Sequence, residues 1–343
     1  MNPLVSVMVV VKGRAEHLEE TLLSLLGQTL QDFEIIVVDG GVDEAARQML
    51  ARYSSDDERI KVFEQEEAGI SAARNQAMSL ASGKYCAVAD ADDISLPHRL
   101  ERQVDFLDAH PEISLCGAWI QTFGVGTSQI RQTPPDDASI RAQMMFLCPF
   151  AHSTVAWRRE DVARTGQKYR LHSSEDYDLW ARLLPHICFA NLPEVLVRYR
   201  VHEGQRSHVV EETERNWKYQ VAIRSSLVRQ LGIAPTDAEA ALHQKISTGR
   251  EDEVWLDDVE AWLLELRNAN HARRWLPTSS FDKVIAERWW VASLRAKSKS
   301  FRIRRFLASP LISGVYPGVW SKIGILLSYT KHLLADRIRR MSG

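Results

Sequence analysis

Residues 69–93 read GISAARNQAMSLASGKYCAVADADD. A helical segment, Ser71–Ala81, carries Arg74-Asn75 in its first turns. An apolar strand, Lys84–Ala89, follows, and a crowded acidic turn, Asp90-Ala91-Asp92-Asp93, ends it. Upstream the same order recurs. Leu4–Val11 (LVSVMVVV) is apolar on both faces and rich in β-branched residues, as a strand buried in a parallel sheet should be. Glu16–Gly27 places Leu18, Leu22, Leu25 and Leu26 at helical spacing before Gly27 stops it. Phe33–Asp39 reads as a second strand, Glu44–Tyr53 as a helix and Ile60–Phe63 as a short strand. This alternation predicts an α/β fold, a Rossmann-like open, mostly parallel sheet with flanking helices, whose ligands sit beyond the carboxyl ends of the strands.

Downstream, Ser95 as N-cap and Pro97 in the first turn predict a helix to about Ala109. The stretch Ile113–Tyr199 is mixed. Short strands are expected near Ser114–Thr122, Thr154–Trp157 and Val195–Tyr199, and helices near Ser139–Leu147 and Glu175–Leu184. From about Glu211 the periodicity is mostly helical, so the chain divides into a domain over 1–210 and a helical C-terminal region over 211–343. A length of 343 residues, 45% hydrophobic, supports two domains and excludes disorder and small disulfide scaffolds.

Charge is unevenly spread. From His271 onward fifteen Lys and Arg face three acids, a net of +12, which leaves −14 for residues 1–270. Such a tail suits an anionic surface, lipid or nucleic acid. Cys86, Cys116, Cys148 and Cys188 are widely spaced without a C-x-x-C, so no zinc site or disulfide framework is expected. Leu4–Val11 lacks a basic leader and a cleavage site, and no stretch reaches about 20 apolar residues. A cytoplasmic protein is the expectation.

Side chains at i and i+2 of an extended chain share a face, so Asp90 and Asp92 point together while Asp93 begins the turn. Three crowded carboxylates repel unless a cation sits among them, and Mg²⁺ or Mn²⁺ favours such oxygen ligands. The alternative is a solvated acidic turn with Asp93 or Ser95 capping the next helix. Asp39 also ends a buried strand. With Arg74 and Asn75 at the same rim, these acids are what a sheet needs to hold a metal-bound diphosphate and a ribose; Arg74 read alone is a surface helix charge.

The blocks VSVMVVV (5–11), Gln28-Thr29 with FEIIVVD (33–39), GISAARNQAMSLASGKY (69–85), ADADD (89–93), HSTVAWRRE (152–160), EDYDLW (175–180) and YRVHEGQRS (199–207) together resemble family 2 of the GT-A glycosyltransferases. The resemblance covers roughly residues 4–210. It implies an inverting, Mn²⁺- or Mg²⁺-dependent enzyme using a nucleotide-activated sugar. Asp176 would be the general base, with Glu175 orienting it or the acceptor. Asp39, Arg74, Asn75 and Asp90 would bind the donor, and Asp92 and Asp93 the metal. His202 would approach the diphosphate or the metal, or is an isolated surface histidine. His152 matches a loop lining the acceptor side and is given no catalytic role, since packing or substrate hydrogen bonding explains it equally well. Two departures stand out. Val10-Val11-Lys12-Gly13 replaces a usual P-T-Y-N, with the stem of Lys12 free to cover a base. Gly40 replaces an acid that often contacts the base, which leaves the nucleotide open, with a UDP-sugar the expected donor.

Val319–Met341 carries Ile323, Leu326, Leu327, Leu333, Leu334, Ile338 and Met341 on one stripe edged by Lys322, Lys331, Arg337, Arg339 and Arg340. With the cluster Arg302–Phe306 it reads as a helix lying on an anionic membrane, peripheral on the inner face of the cell membrane, or else as a stripe packed on the body. Nucleic acid fits less well, because the rest of the chain is acidic and no recognition module is present. The expected function is transfer of a sugar to a lipid-linked glycan acceptor; the alternative is a non-catalytic sugar-nucleotide or glycan-binding scaffold of the same fold.

Overall fold

The computed structural model describes residues 2–13, 16–202, 210–248, 256–294 and 305–313. The chain divides into two compact units. The first comprises Met1–Met144 and Cys148–Ile223, the second Met145–Leu147 and Arg224–Gly343.

In the first unit, β1 (Val5–Gly13), β2 (Phe33–Val42), β3 (Ile60–Glu64) and β4 (Tyr85–Asp90) pair in parallel, in the order β3-β2-β1-β4. The helices α1 (Leu18–Leu26), α2 (Glu44–Asp56) and α3 (Ile70–Leu80) carry the chain between them. The apolar strand residues fill the core: the β-branched Val7, Val9, Ile35 and Val37 are fully buried, with Ala87 and with Leu18, Leu22 and Leu25 of α1. Parallel pairing sets all four carboxyl ends on one rim. Val11 is in register with Asp39 on one side of β1, and Val10 with Asp90 on the other.

Beyond this half the sheet, mostly parallel as expected, also takes in short antiparallel strands. β5 (Ile94–Ser95), β6 (Leu115–Gly124), β7 (Ile130–Arg131), β8 (Ala156–Arg158) and β9 (Phe189–Val201) extend it in the order β4-β8-β6-β9-β5, with β7 on β6. Only β6 and β9 run parallel here. The reason lies in where β8 starts: it leaves a 3₁₀ turn, His152–Thr154, and runs down antiparallel to β4, with Ala156 opposite Ala87 and Arg158 opposite Tyr85. That reversal delivers His152 to Asp90. Ser95 does not cap the next helix, α4 (Arg99–Ala109). As part of β5 it pairs with Val197 of β9, and its hydroxyl accepts from Arg99.

At the amino end of the strands a polar knot joins Ser6, Glu34, Ser82 and Lys61. Glu34, 3% exposed, accepts from Ser6 and Ser82 hydroxyls at 2.6 and 2.7 Å and pairs with Lys61 at 2.7 Å. Burial alone would raise its pKa, but these donors together hold it down at about 2.

Helices α5 (Asp137–Met144), α6 (Arg159–Arg164) and α7 (Glu175–Leu183) complete the first unit, and α8 (Val210–Gln230) contains the border. The second unit holds α9 (Asp237–Thr248), α10 (Leu256–Arg273) and α11 (Thr278–Ser293). Val259, Leu263, Leu266, Phe281, Ile285 and Trp289 are fully buried in it. Phe306, Leu311 and Ile312 are buried as well, and Arg305 pairs with Asp257 and Glu260. The expected amphipathic helix 319–341 and residues 302–304 of the basic cluster lie outside the described residues. Among the described residues no helix is long and apolar enough to cross a membrane.

Candidate active site

At the carboxyl rim of the first unit one guanidinium organises the acids. Arg74, one turn into α3, lies 2.6 Å from Glu175 Oε1 and 3.6 Å from Asp90 Oδ1, and its guanidinium covers the Tyr169 ring at 5.4 Å. It is therefore no solvated surface charge. Burial would weaken its proton affinity, but Glu175 and Asp90 more than offset that and raise its pKa.

Asp90 is buttressed from a second side. His152 Nδ1 lies 3.1 Å from Asp90 Oδ1, and Nε2 lies 3.1 Å from the Tyr169 hydroxyl. Burial opposes ionisation of Asp90, yet His152, Arg74 and Arg99 overcome it and lower its pKa to about 2. His152 is thus held between Asp90 and Tyr169, its side chain 8% exposed. Asn75 has both ends of its amide engaged: Nδ2 donates to the Tyr169 carbonyl at 2.8 Å, and Oδ1 accepts from the Tyr169 amide at 2.9 Å. The Asn75 amide thus clamps the Tyr169 backbone.

The two remaining acids of the turn part company. Asp92 Oδ2 lies 3.1 Å from His202 Nε2 at the end of β9, both side chains being partly exposed. Burial and the neighbouring charge of Asp90 raise the Asp92 pKa, against the pull of His202. Asp93 is 3% exposed. Its Oδ1 accepts from the Arg200 backbone amide at 2.9 Å, and its Oδ2 is buried with no hydrogen-bond partner at normal distance. Burial, then Asp90, push its pKa up to about 8, outweighing the nearby Ser153 hydroxyl and the Arg200 amide.

Among the described residues no three His, Cys, Asp or Glu side chains converge to enclose an ion. Asp92 and His202 still fit half a shell. Mg²⁺ commonly takes only one or two carboxylates and completes its coordination with substrate phosphates and water, and a cation would relieve the crowding that raises Asp92. Asp93 does not fit, because it is sunk below the rim and bonded to β9.

Glu175 and Asp176 open α7. Ser174, its N-cap, adopts a left-handed conformation (φ 52°), and its hydroxyl donates to Asn216 instead of capping the helix. Glu175 turns inward, 6% exposed. Asp176 is half-buried and makes no hydrogen bond or ion pair with a described residue, although it lies within the field of Arg74.

On the far side of β1, Lys12, Asp39, Gly40, Gly41, Arg47 and Gln65 line part of an open pocket of about 520 Å³. Asp39 Oδ1 accepts from the Gly41 and Val42 amides at 2.8 Å each, which leaves Oδ2 for a ligand. Sequence reasoning missed Tyr169, Arg99 and Gln65. Only the fold brings their side chains to the rim, and none lies in a spacing that marks chemistry.

A family model described as glycosyl transferase family 2 matches residues 6–166. The O-antigen biosynthesis glycosyltransferase WbnJ of Escherichia coli is 32% identical over 205 residues, 58% of this chain and 80% of that protein. Two solved structures share the fold. S. aureus TarS 1–349 in complex with UDP-GlcNAc has a TM-score of 0.55 at 19% identity, covering 88% of this chain and 90% of that one. The mannosyltransferase PcManGT from Pyrobaculum calidifontis, in complex with GDP-Man and Mn²⁺, has a TM-score of 0.50 at 15% identity, covering 99% and 83%.

Proposed function

The chain belongs to glycosyl transferase family 2, and from that premise we propose that it moves a sugar from a UDP-sugar to a hydroxyl of a lipid-linked glycan, with inversion, in polysaccharide biosynthesis. The Escherichia coli relative is named for O-antigen biosynthesis, and the two fold neighbours hold nucleotide-diphosphate sugars.

The observation that carries the reading is the division of labour between Glu175 and Asp176. A general base must be ionised, reachable and not already engaged. Glu175 is buried against Arg74 at 2.6 Å, whereas Asp176 is half-buried without a described partner. Asp176 takes the proton of the acceptor hydroxyl as its oxygen bonds to the anomeric carbon. The bond to the diphosphate breaks on the opposite face, and the electron pair leaves with the diphosphate. Arg74 joins the acid that meets the donor, Asp90, to the helix that carries the base. Asp92 and His202 would hold Mn²⁺ or Mg²⁺, whose chemistry when bound is to neutralise charge gathering on the leaving diphosphate. Asp93 anchors β9 beneath them.

A thermal-shift screen of nucleotide-diphosphate sugars with and without Mn²⁺ tests the donor reading: a UDP-sugar should raise the Tm in the presence of the ion, and no response to any of them would remove it. Membrane attachment rests on the charge of the C-terminal stretch. Because Phe306, Leu311 and Ile312 are packed within the second unit, the deletion that tests it removes residues 314–343. Co-sedimentation with anionic liposomes at low salt should be lost; undiminished sedimentation would refute the attachment.

A further inference from the structure

We infer that Gln65 reads the base of the donor, its side-chain oxygen accepting the ring N–H of uracil. The inference deepens the donor reading above and rests on it.

Strand β2 ends in Asp39-Gly40-Gly41, and the space where a side chain at 40 would stand is taken. A β-carbon added at Gly40 would lie 2.5 Å from Gln65 Oε1 and 3.2 Å from the Val11 carbonyl oxygen. The Gln65 amide therefore lies over the Gly40 backbone, and its orientation is fixed from three directions. Its Nε2 donates to the Gly69 carbonyl at 2.9 Å and to the Glu67 carbonyl, and its backbone amide donates to the Asp39 carbonyl at 2.8 Å. Two carbonyls facing Nε2 decide which end of the amide is oxygen. Oε1 accepts no hydrogen bond from a described residue, and Gln65 lines the pocket with Asp39, Arg47 and Lys12.

A fixed acceptor with Lys12 and Arg47 on the same lining, beside the acids Asp39, Glu64 and Glu66, matches one base edge well. Uracil presents a single N–H between two carbonyl oxygens: the N–H suits Oε1, and the carbonyls suit Arg47 and Lys12. Cytosine places a ring lone pair where uracil has its N–H, so acceptor would meet acceptor. An acceptor facing a base without the matching donor loses the bond and gains repulsion, a difference of about 10- to 100-fold in affinity. Guanine offers two adjacent N–H groups and one carbonyl, which would leave one cation unmatched.

Titration calorimetry of the full chain with UDP, CDP and GDP, each with Mn²⁺, decides the matter. The wild type should bind UDP about 10- to 100-fold more tightly than CDP. Gln65→Met, of similar length but without the acceptor, should collapse that ratio chiefly by weakening UDP. Gly40→Asp combined with Gln65→Ala should restore part of the preference, by putting a carboxylate into the vacated space. Equal weakening of UDP and CDP in Gln65→Met would make Gln65 a merely structural brace and overturn the inference, as would tighter binding of GDP than of UDP by the wild type. A wild type that binds none of the three would overturn the donor reading itself, and the inference with it.

Discussion

Arg74 Nη1 lies 2.6 Å from Glu175 Oε1, with side-chain exposures of 15% and 7%, so an ion pair of low accessibility binds the first turns of α3 to the start of α7. Removing one member of such a pair strands a charge, at a cost of about 3–5 kcal/mol, whereas neutralising both is far milder. Arg74→Met should therefore destabilise α7, seen as faster amide exchange over Glu175–Leu183. The double variant Arg74→Met with Glu175→Gln should recover at least half of the loss. Additive effects would mean that the pair contributes nothing beyond its separate contacts.

Asp176→Asn keeps the shape of the side chain and removes its ability to take a proton. Turnover should fall by about 10²–10⁴-fold, while donor affinity measured by calorimetry stays unchanged, because Asp176 lies on α7 and not at the donor-facing strand ends. Near-normal turnover would move the base elsewhere, with Glu175 the next candidate.

Asp92 and Asp93 are neighbours in sequence and opposites in surroundings, and their asparagine variants should differ accordingly. Asp92→Asn should abolish the Mn²⁺-dependent part of donor binding, and EDTA should have the same effect on the wild type. Asp93 is pushed up to about 8 by burial and by Asp90, so the folded protein already holds it largely neutral at pH 7. Asp93→Asn should leave Mn²⁺-dependent donor binding within about threefold of wild type. If the two variants lose the Mn²⁺ response equally, both carboxylates hold the ion.

What was legible in the sequence follows from what periodicity can carry. The parallel half announces itself because each strand is a continuous β-branched run and each crossover a helix with an apolar stripe, and the acids ending β2 and β4 inherit their position from that regularity. The antiparallel half is not announced: β5 and β7 are two residues each and β8 three, too short for any period. The site divides along the same line. Asp39, Arg74, Asp90 and Asp92 lie where the pattern puts them. The duties of Asn75 and His152 depend on Tyr169, which reaches the rim through a loop, and the burial of Asp93 depends on pairing with β9. A residue such as Gln65 becomes visible only when the missing side chain at Gly40 is seen to leave room for it.

In the second unit, Trp262 Nε1 donates to His243 Nδ1 at 3.0 Å, and His243 Nε2 donates to the Met145 carbonyl at 2.8 Å. Both ring nitrogens are thus engaged by a neutral imidazole, and a proton added at Nδ1 must displace the indole. Burial lowers the pKa of His243 to about 4; the Met145 carbonyl opposes this, and the charges of Arg224 and Arg288 assist it. With a folded value below the unfolded 6.5, the imidazole contributes its full stability above pH 6.5 and loses it as the pH falls toward 4. The loss is about 3 kcal/mol from the size of that shift. Because the chain has two units, local amide exchange over Asp237–Thr248 and Leu256–Arg273 is the appropriate measure rather than a single unfolding midpoint. Protection there should drop between pH 6.5 and 4 after correction for intrinsic exchange. His243→Gln can accept from Trp262 and donate to Met145 without titrating, so it should flatten that dependence. If the variant shows the same slope as the wild type, some other group drives the acid lability of this unit.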